Sequence, residues 1–261
     1  MKIAVCIKQV PNTTEIKIDP KTNTLVREGV ESIINPDDKS ALEVALTVKQ
    51  QTGAQVNVVC MGPPQAEIAL REALAMGADN AYLVSDRAFA GSDTLATSTI
   101  LAYALKRIGF DYIIAGRQAI DGDTAQVGPQ IAEHLDVAAV TYCADFSYDQ
   151  KADRFTIKRQ IEDRYQILSV GSPALFTVLG ANVKPRYMNA KDIIAQDQKE
   201  IVVLTQQELQ CPVSDIGLTG SPTKVKATFT KQYDGNKQLV ELPAEQAAKL
   251  IAEQLKQKHI V

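Results

Sequence analysis

Tryptophan is absent from the 261 residues, and histidine occurs only twice, at His134 and His259. No carboxylate or thiol stands near either at a spacing that builds a metal site. The four cysteines, Cys6, Cys60, Cys143 and Cys211, are scattered and form no C-x-x-C pair. They read as buried free thiols acting as small hydrophobes, not as a redox pair. Two nucleotide signatures are missing as well. There is no G-x-x-x-x-G-K-[ST], and no G-x-G-x-x-G follows an apolar run, since Gly116, Gly122 and Gly128 stand six apart. No apolar stretch approaches the roughly 20 residues that a membrane-spanning helix needs. The first one, Ile3–Ile7, is short for an export signal, so the expected location is the cytoplasm. A formal net charge of −3 offers no field for nucleic acid or an anionic membrane. Hydrophobic and charged contents of 45% and 23% are ordinary for a globular chain.

What the sequence does contain is alternation. "KIAVCIK", "QVNVVCMG", "AYLVSD" and "DYIIAG" are short apolar runs, as strands buried on both faces would be. Helical stretches separate them. In "INPDDKSALEVALTVKQQTG", Asn35 suits the N-cap, Pro36 the first helical position, and Asp37 and Asp38 the first turn, with Gly53 as the stop. "QAEIALREALAMG" and "DTLATSTILAYALKRIG" follow as further helices. The pattern predicts an α/β fold with a parallel sheet and right-handed crossovers, whose ligands bind beyond the carboxyl ends of the strands. After about residue 136, "VAAVTYCADFSYD", "DRFTIKRQIE" and "RYQILSVGS" read as an antiparallel, hairpin-rich addition, followed by a strand "ALFTVLG". From Asn182 the patterning weakens, and "KPRYMNAKDIIAQDQKE" reads as extended chain. The sequence closes on an amphipathic helix with Ala247, Leu250, Ile251 and Leu255 on one face. Such a tail reads as an arm that packs on a partner, or alternatively folds back on its own domain.

The strand ends bring "GRQAIDGDTAQVGPQ", residues 116–130, to the expected crevice. Three glycines and a helix beginning near Gly128–Pro129 expose backbone N–H groups that receive a phosphate, aided by Arg117. Asp121 and Asp123 would repel phosphate, so they bind hydroxyl or amide groups or brace the loop. An elaborate turn with aspartate caps remains the plain alternative. Thr94 and Thr97, three apart at a helix start, can turn both hydroxyls one way. Capping by Ser92 or Asp93 with buried threonines is the alternative there.

Five stretches, "VCIKQVP", "NPDDKSALE", "CMGPP", "REALAMGAD" and "GRQAIDGDTAQVGPQ", resemble in this order the small (β) subunit of an electron-transfer flavoprotein. The resemblance implies an adenine-nucleotide α-hydrolase-like, Rossmann-like domain over 1–186 and a C-terminal arm, 187–261, packing on an α subunit in a heterodimer. Simple members hold a structural AMP and pass electrons from an acyl-CoA dehydrogenase. Electron-bifurcating members hold a second FAD there that accepts hydride from NADH, and send electrons to the α-subunit FAD with its dehydrogenase and to ferredoxin or flavodoxin. Gly122, together with "GSDTLATS" containing Asp93, Thr94 and Thr97, is most like the bifurcating type. Carried over by position, the cofactor contacts fall on Cys6, on Asn35, Pro36, Asp37 and Asp38, and on Met61. They continue on Gly116, Arg117, Gln118, Ala119, Ile120 and Asp121, and on Gly122, Asp123, Thr124, Ala125, Gln126 and Val127. Met61 and Asp37–Asp38 depart from the simple members, as does Ala190 in the partner-recognition stretch. No catalytic side chain is implied, since the flavin carries the chemistry. A nucleotide-binding stress or signalling module of the same sheet type is the rival of a different class. An ATP pyrophosphatase is disfavoured because "KQVPNTTEIKID" stands where its pyrophosphate loop belongs.

Overall fold

A computed structural model describes residues 1–12, 31–224, 226 and 239–260. The chain forms two units, Met1–Val225 and Lys226–Val261. In the first, β1 (Lys2–Ile7), β2 (Gln9–Pro11) and β3 (Ser32–Ile34) lead into α1 (Pro36–Thr52), β4 (Gln55–Met61), α2 (Glu67–Met76) and β5 (Asn80–Val84). There follow α3 (Thr94–Ile108), β6 (Tyr112–Gly116), α4 (Val127–Leu135), β7 (Ala138–Asp149), β8 (Arg154–Ile161), β9 (Arg164–Gly171) and β10 (Ala174–Val178). The short α5 (Ala190–Gln196), β11 (Ile201–Leu204) and α6 (Gln206–Leu209) complete it.

Nine strands form one sheet in the order β11-β5-β4-β1-β6-β10-β7-β8-β9. All neighbours from β11 to β7 run parallel, and β8 and β9 add antiparallel to β7. This is the α/β fold with antiparallel additions that the alternation implies. Along β1 the side chains alternate: Ile3, Val5 and Ile7 join a core with α1 and α2, while Ala4 and Cys6 join a second core with α3 and α4. Being apolar on both faces, the strand reads as a continuous run. The chain moves outward from β1 through β4 to β5, then returns through α3 to β6 on the other side of β1. That reversal opens a crevice between the β1 and β6 ends. Beyond it, the Tyr112 ring of β6 packs edge-on against Phe155 of β8, centroids 4.8 Å apart. This contact fastens the antiparallel addition onto the sheet.

The helix signals around α1 fall where they were read. Pro36 opens it, Asp37 and Asp38 occupy its first turn, and Gly53 ends it in a left-handed conformation at φ 73°. Two features differ from the sequence reading. Asn35 sits at the N-cap without capping, because its amide is engaged elsewhere. Ala190–Gln196 is helical, not extended, and Ile201–Leu204 adds an edge strand beside β5. These elements place 187–224 within the first unit. In the second unit, Ala244–Gln257 forms the amphipathic helix α7, with Ile251 61% exposed. Among the described residues, no helix is long and apolar enough to cross a membrane.

Candidate functional site

A cavity of about 380 Å³ lies at the ends of β1, β4 and β6, where α3 and α4 begin. This is within the ~300–1,000 Å³ usual for small-molecule sites. Sixteen of the residues singled out from sequence line it: Cys6, Asp38, Met61, Asp93, Thr94, Thr97, and the loop residues Gly116–Ala119 and Gly122–Val127. Asn35, Pro36, Asp37, Ile120 and Asp121 lie outside the lining. The lining also includes Gly128, read from sequence as the helix start at the crevice, and Ser92, read as a cap, together with Ile7, Lys8, Leu101, Ala115 and Ile131, which sequence reasoning did not single out. Leu101 and Ile131 lie one helical turn beyond Thr97 and Val127, so helical spacing was a usable signal for both.

The first turn of α1 braces the wall from behind. Asp38 accepts the backbone amides of Lys8 at 2.8 Å and Gly116 at 3.0 Å, tying together the ends of β1 and β6. Gly116 is required by that approach, since a Cβ there would lie 2.2 Å from the Asp38 carboxylate. Burial pushes the Asp38 carboxyl up to about 7, even though both amides favour its charged form. Asn35 grips the loop by donating to the Gln118 carbonyl at 2.8 Å and accepting from the Ile120 amide at 3.1 Å. Asp37 accepts from the Gly180 amide and lies 3.5 Å from Arg117 Nε. Burial raises its pKa, opposed by the guanidinium.

The loop itself is wound tightly. Gly122 and Asp123 both donate to the Ala119 carbonyl, and Asp123 and Ala125 each adopt φ 53°. A left-handed alanine has no side-chain bond to offset its strain, and such residues cluster where a ligand is held. Among the described residues, the amides of Thr124, Ala125 and Gln126 find no acceptor. Gln126 precedes α4 without capping it, its side chain instead accepting from the Thr94 hydroxyl at 2.9 Å. The start of α3 is occupied: Asp93 accepts from Leu95 and Ala96 at 3.0 and 3.1 Å, so the capping alternative describes Asp93. Of the two helices that begin at the cavity, only α4 presents an uncapped end. Among the described residues the Arg117 Nε is buried without a hydrogen-bond partner, with the Asp37 carboxylate 3.5 Å away. Free amides and an uncapped helix end, with the Arg117 side chain in the lining, together suit a phosphate-bearing ligand. Cys6, Met61, Leu101 and Ile131 give the same cavity an apolar floor. All four cysteines are free and buried, with burial pushing the Cys6, Cys60 and Cys143 thiols up to about 12 and Cys211 to about 11.

The electron transfer flavoprotein domain matches residues 22–209. This chain belongs to the electron transfer flavoprotein family. The electron transfer flavoprotein subunit beta of Clostridium acetobutylicum is 49% identical over 261 residues, covering the whole of both chains. Subunit CarD of the caffeyl-CoA reductase–Etf complex of Acetobacterium woodii is 46% identical over 264 residues, again covering both chains fully. The acryloyl-CoA reductase electron transfer subunit gamma of Anaerotignum propionicum is 43% identical over 270 residues, with the same full coverage. The full-length likeness makes this an electron transfer flavoprotein β subunit, and its strand-end cavity is the candidate site for the nucleotide or flavin association that goes with the family.

Proposed function

We propose that this β subunit pairs with an electron transfer flavoprotein α subunit and that its cavity holds an FAD reduced by NADH. The electrons then divide between the α-subunit FAD, serving an acyl-CoA dehydrogenase-like flavoprotein, and ferredoxin or flavodoxin. When bound, the flavin supplies the exchange between two-electron and one-electron transfer. The chain's own residues do the rest. The amides of 124–126, the α4 start and Arg117 receive the phosphates, and the apolar floor excludes water.

Gly122 is the observation that carries the FAD over a smaller nucleotide. It lines the cavity, and a Cβ there would meet no atom within 4 Å. The fold therefore does not demand glycine at 122, whereas a bulky ligand lying against the backbone does. The acyl-CoA-type partner is supported by the two relatives named for caffeyl-CoA and acryloyl-CoA reductases. The test is the nucleotide released on denaturing the purified αβ pair. Two FAD per heterodimer are expected; one FAD with one AMP would replace the bifurcating function by simple electron transfer.

A further inference from the structure

Residues 216–223 form a strap laid across the segment that leads into α3. Gly217 donates its amide to the Ser92 hydroxyl at 3.1 Å. Ser221, buried at 4% exposure, accepts the Asp93 amide at 2.8 Å and bonds onward to the Gly217 carbonyl at 2.6 Å. Thr223 donates twice to one Asp93 carboxylate oxygen, from its amide at 3.0 Å and its hydroxyl at 2.7 Å. The other oxygen caps α3 through Leu95 and Ala96.

Both oxygens of Asp93 are thus committed, one to the helix and one to the strap. Charge-assisted bonds of this kind are the stronger class. Burial acts to raise the Asp93 pKa, but the Thr223 bonds and the two helix amides outweigh it and hold the carboxyl below its ordinary range. Ser92, Asp93, Thr94 and Thr97 all line the cavity, and Thr94 continues to Gln126 at the uncapped start of α4. A line of hydrogen bonds therefore runs from Thr223 through Asp93 and the first turn of α3 to the place where a phosphate would be received. Neither Ser221 nor Thr223 lines the cavity.

We propose that Ser221 and Thr223 are positioning residues for the ligand cavity, setting the start of α3, and through Thr94 that of α4, by way of Asp93. The strap lies just ahead of Lys226, where the second unit begins. The inference rests on the nucleotide-binding reading of the cavity but not on which nucleotide binds.

The test uses the full αβ pair. Thr223→Val, Thr223→Ser and Ser221→Ala are compared with the unaltered chain for FAD and AMP dissociation constants by equilibrium dialysis, and for thermal midpoint by circular dichroism. Thr223→Val is expected to weaken the bound nucleotide by roughly 5- to 20-fold. Thr223→Ser, which keeps the hydroxyl, restores it to within about twofold, and Ser221→Ala gives an independent loss on the same scale. A lowered midpoint with unchanged affinity in both Thr223→Val and Ser221→Ala would overturn the proposal, because the bonds would then only brace the fold. If the unaltered pair takes up AMP in place of a second FAD, the flavin reading fails. A fall in AMP affinity in Thr223→Val still supports the positioning role.

Discussion

The Lys8 ammonium donates to both carboxylate oxygens of Asp121 at 2.7 Å, fastening the tip of the 116–126 loop to the end of β1. From sequence Asp121 is either a ligand contact or a brace of the loop; in the structure it lies outside the cavity lining, which includes Lys8. Both side chains are partly exposed, at 47% and 30%, and pairs of that kind contribute about 0–1 kcal/mol, less in high salt. Asp121→Ala is therefore expected to lower the thermal midpoint by at most about 4 °C, with nucleotide occupancy retained. Loss of nucleotide at an unchanged midpoint would instead make Asp121 a ligand contact. Absorbance of released nucleotide and a melting curve on one preparation decide between the two.

Gly122 gives the opposite pattern. With open space around its Cβ position, Gly122→Leu leaves the melting curve within about 2 °C, since surface substitutions stay within ~0.5 kcal/mol. The side chain enters the cavity, however, and the β-subunit flavin is expected to be lost. Full flavin content in the variant would remove the basis for preferring FAD.

Asp38 governs a pH dependence whose sign follows from its raised pKa, about 7 when folded against 3.8 for the free group. Between those values the folded chain holds a proton that the unfolded chain releases. The stabilising contribution is complete below 3.8 and is lost as pH rises toward 7. Urea midpoints measured from pH 4 to 8 are expected to fall across that window, with Asp37, also raised, adding to the slope. Asp38→Asn flattens the slope. It also lowers stability throughout by about 1–3 kcal/mol, because an asparagine has one acceptor for the two amides of Lys8 and Gly116. An unchanged slope in Asp38→Asn would show that other groups set it.

Much of this architecture was legible in the sequence because it rests on local periodicity. The central strands are apolar throughout, and the helices between them each end on a glycine, Gly53, Gly77 and Gly109. The 116–127 loop stood out for its glycines and its place after a strand. Side-chain wiring across long separations left no such trace. Thr223 and Asp93 are 130 residues apart, and nothing around either announces the other. Asn35 illustrates the limit in miniature. Its position before Pro36 marks a helix start correctly, yet its amide is drawn away to the Gln118 and Ile120 backbone, 83 and 85 residues on. The edge strand Ile201–Leu204 escaped notice because four residues are too few to show a period.

The boundary of the C-terminal segment can be tested by cutting at two places. Leu204, Leu209, Cys211 and Ile216 are buried in the second core, and among the described residues none beyond Ser221 is buried. A chain ending at Lys224 is expected to keep the melting curve of its sheet while failing to co-elute with the α subunit. One ending at residue 189 loses β11 and those four side chains, and is expected to unfold at markedly lower urea. Co-elution of the longer truncation with α would show that Lys226–Val261 is not the pairing element.

The buried thiols turn the protein into its own stopwatch. A thiol held near 12 stays protonated at neutral pH, and a protonated, enclosed sulfur does not attack an alkylating reagent. Each of the four can therefore be labelled only during the moments when its surroundings open. Cys6 lines the cavity and reports on the site itself, so a bound nucleotide covering it lengthens its interval. Cys143, in β7, times the antiparallel addition, and Cys211 times the stretch just before the strap. Native clocks in three regions of one molecule report which part breathes first, with no cysteine introduced.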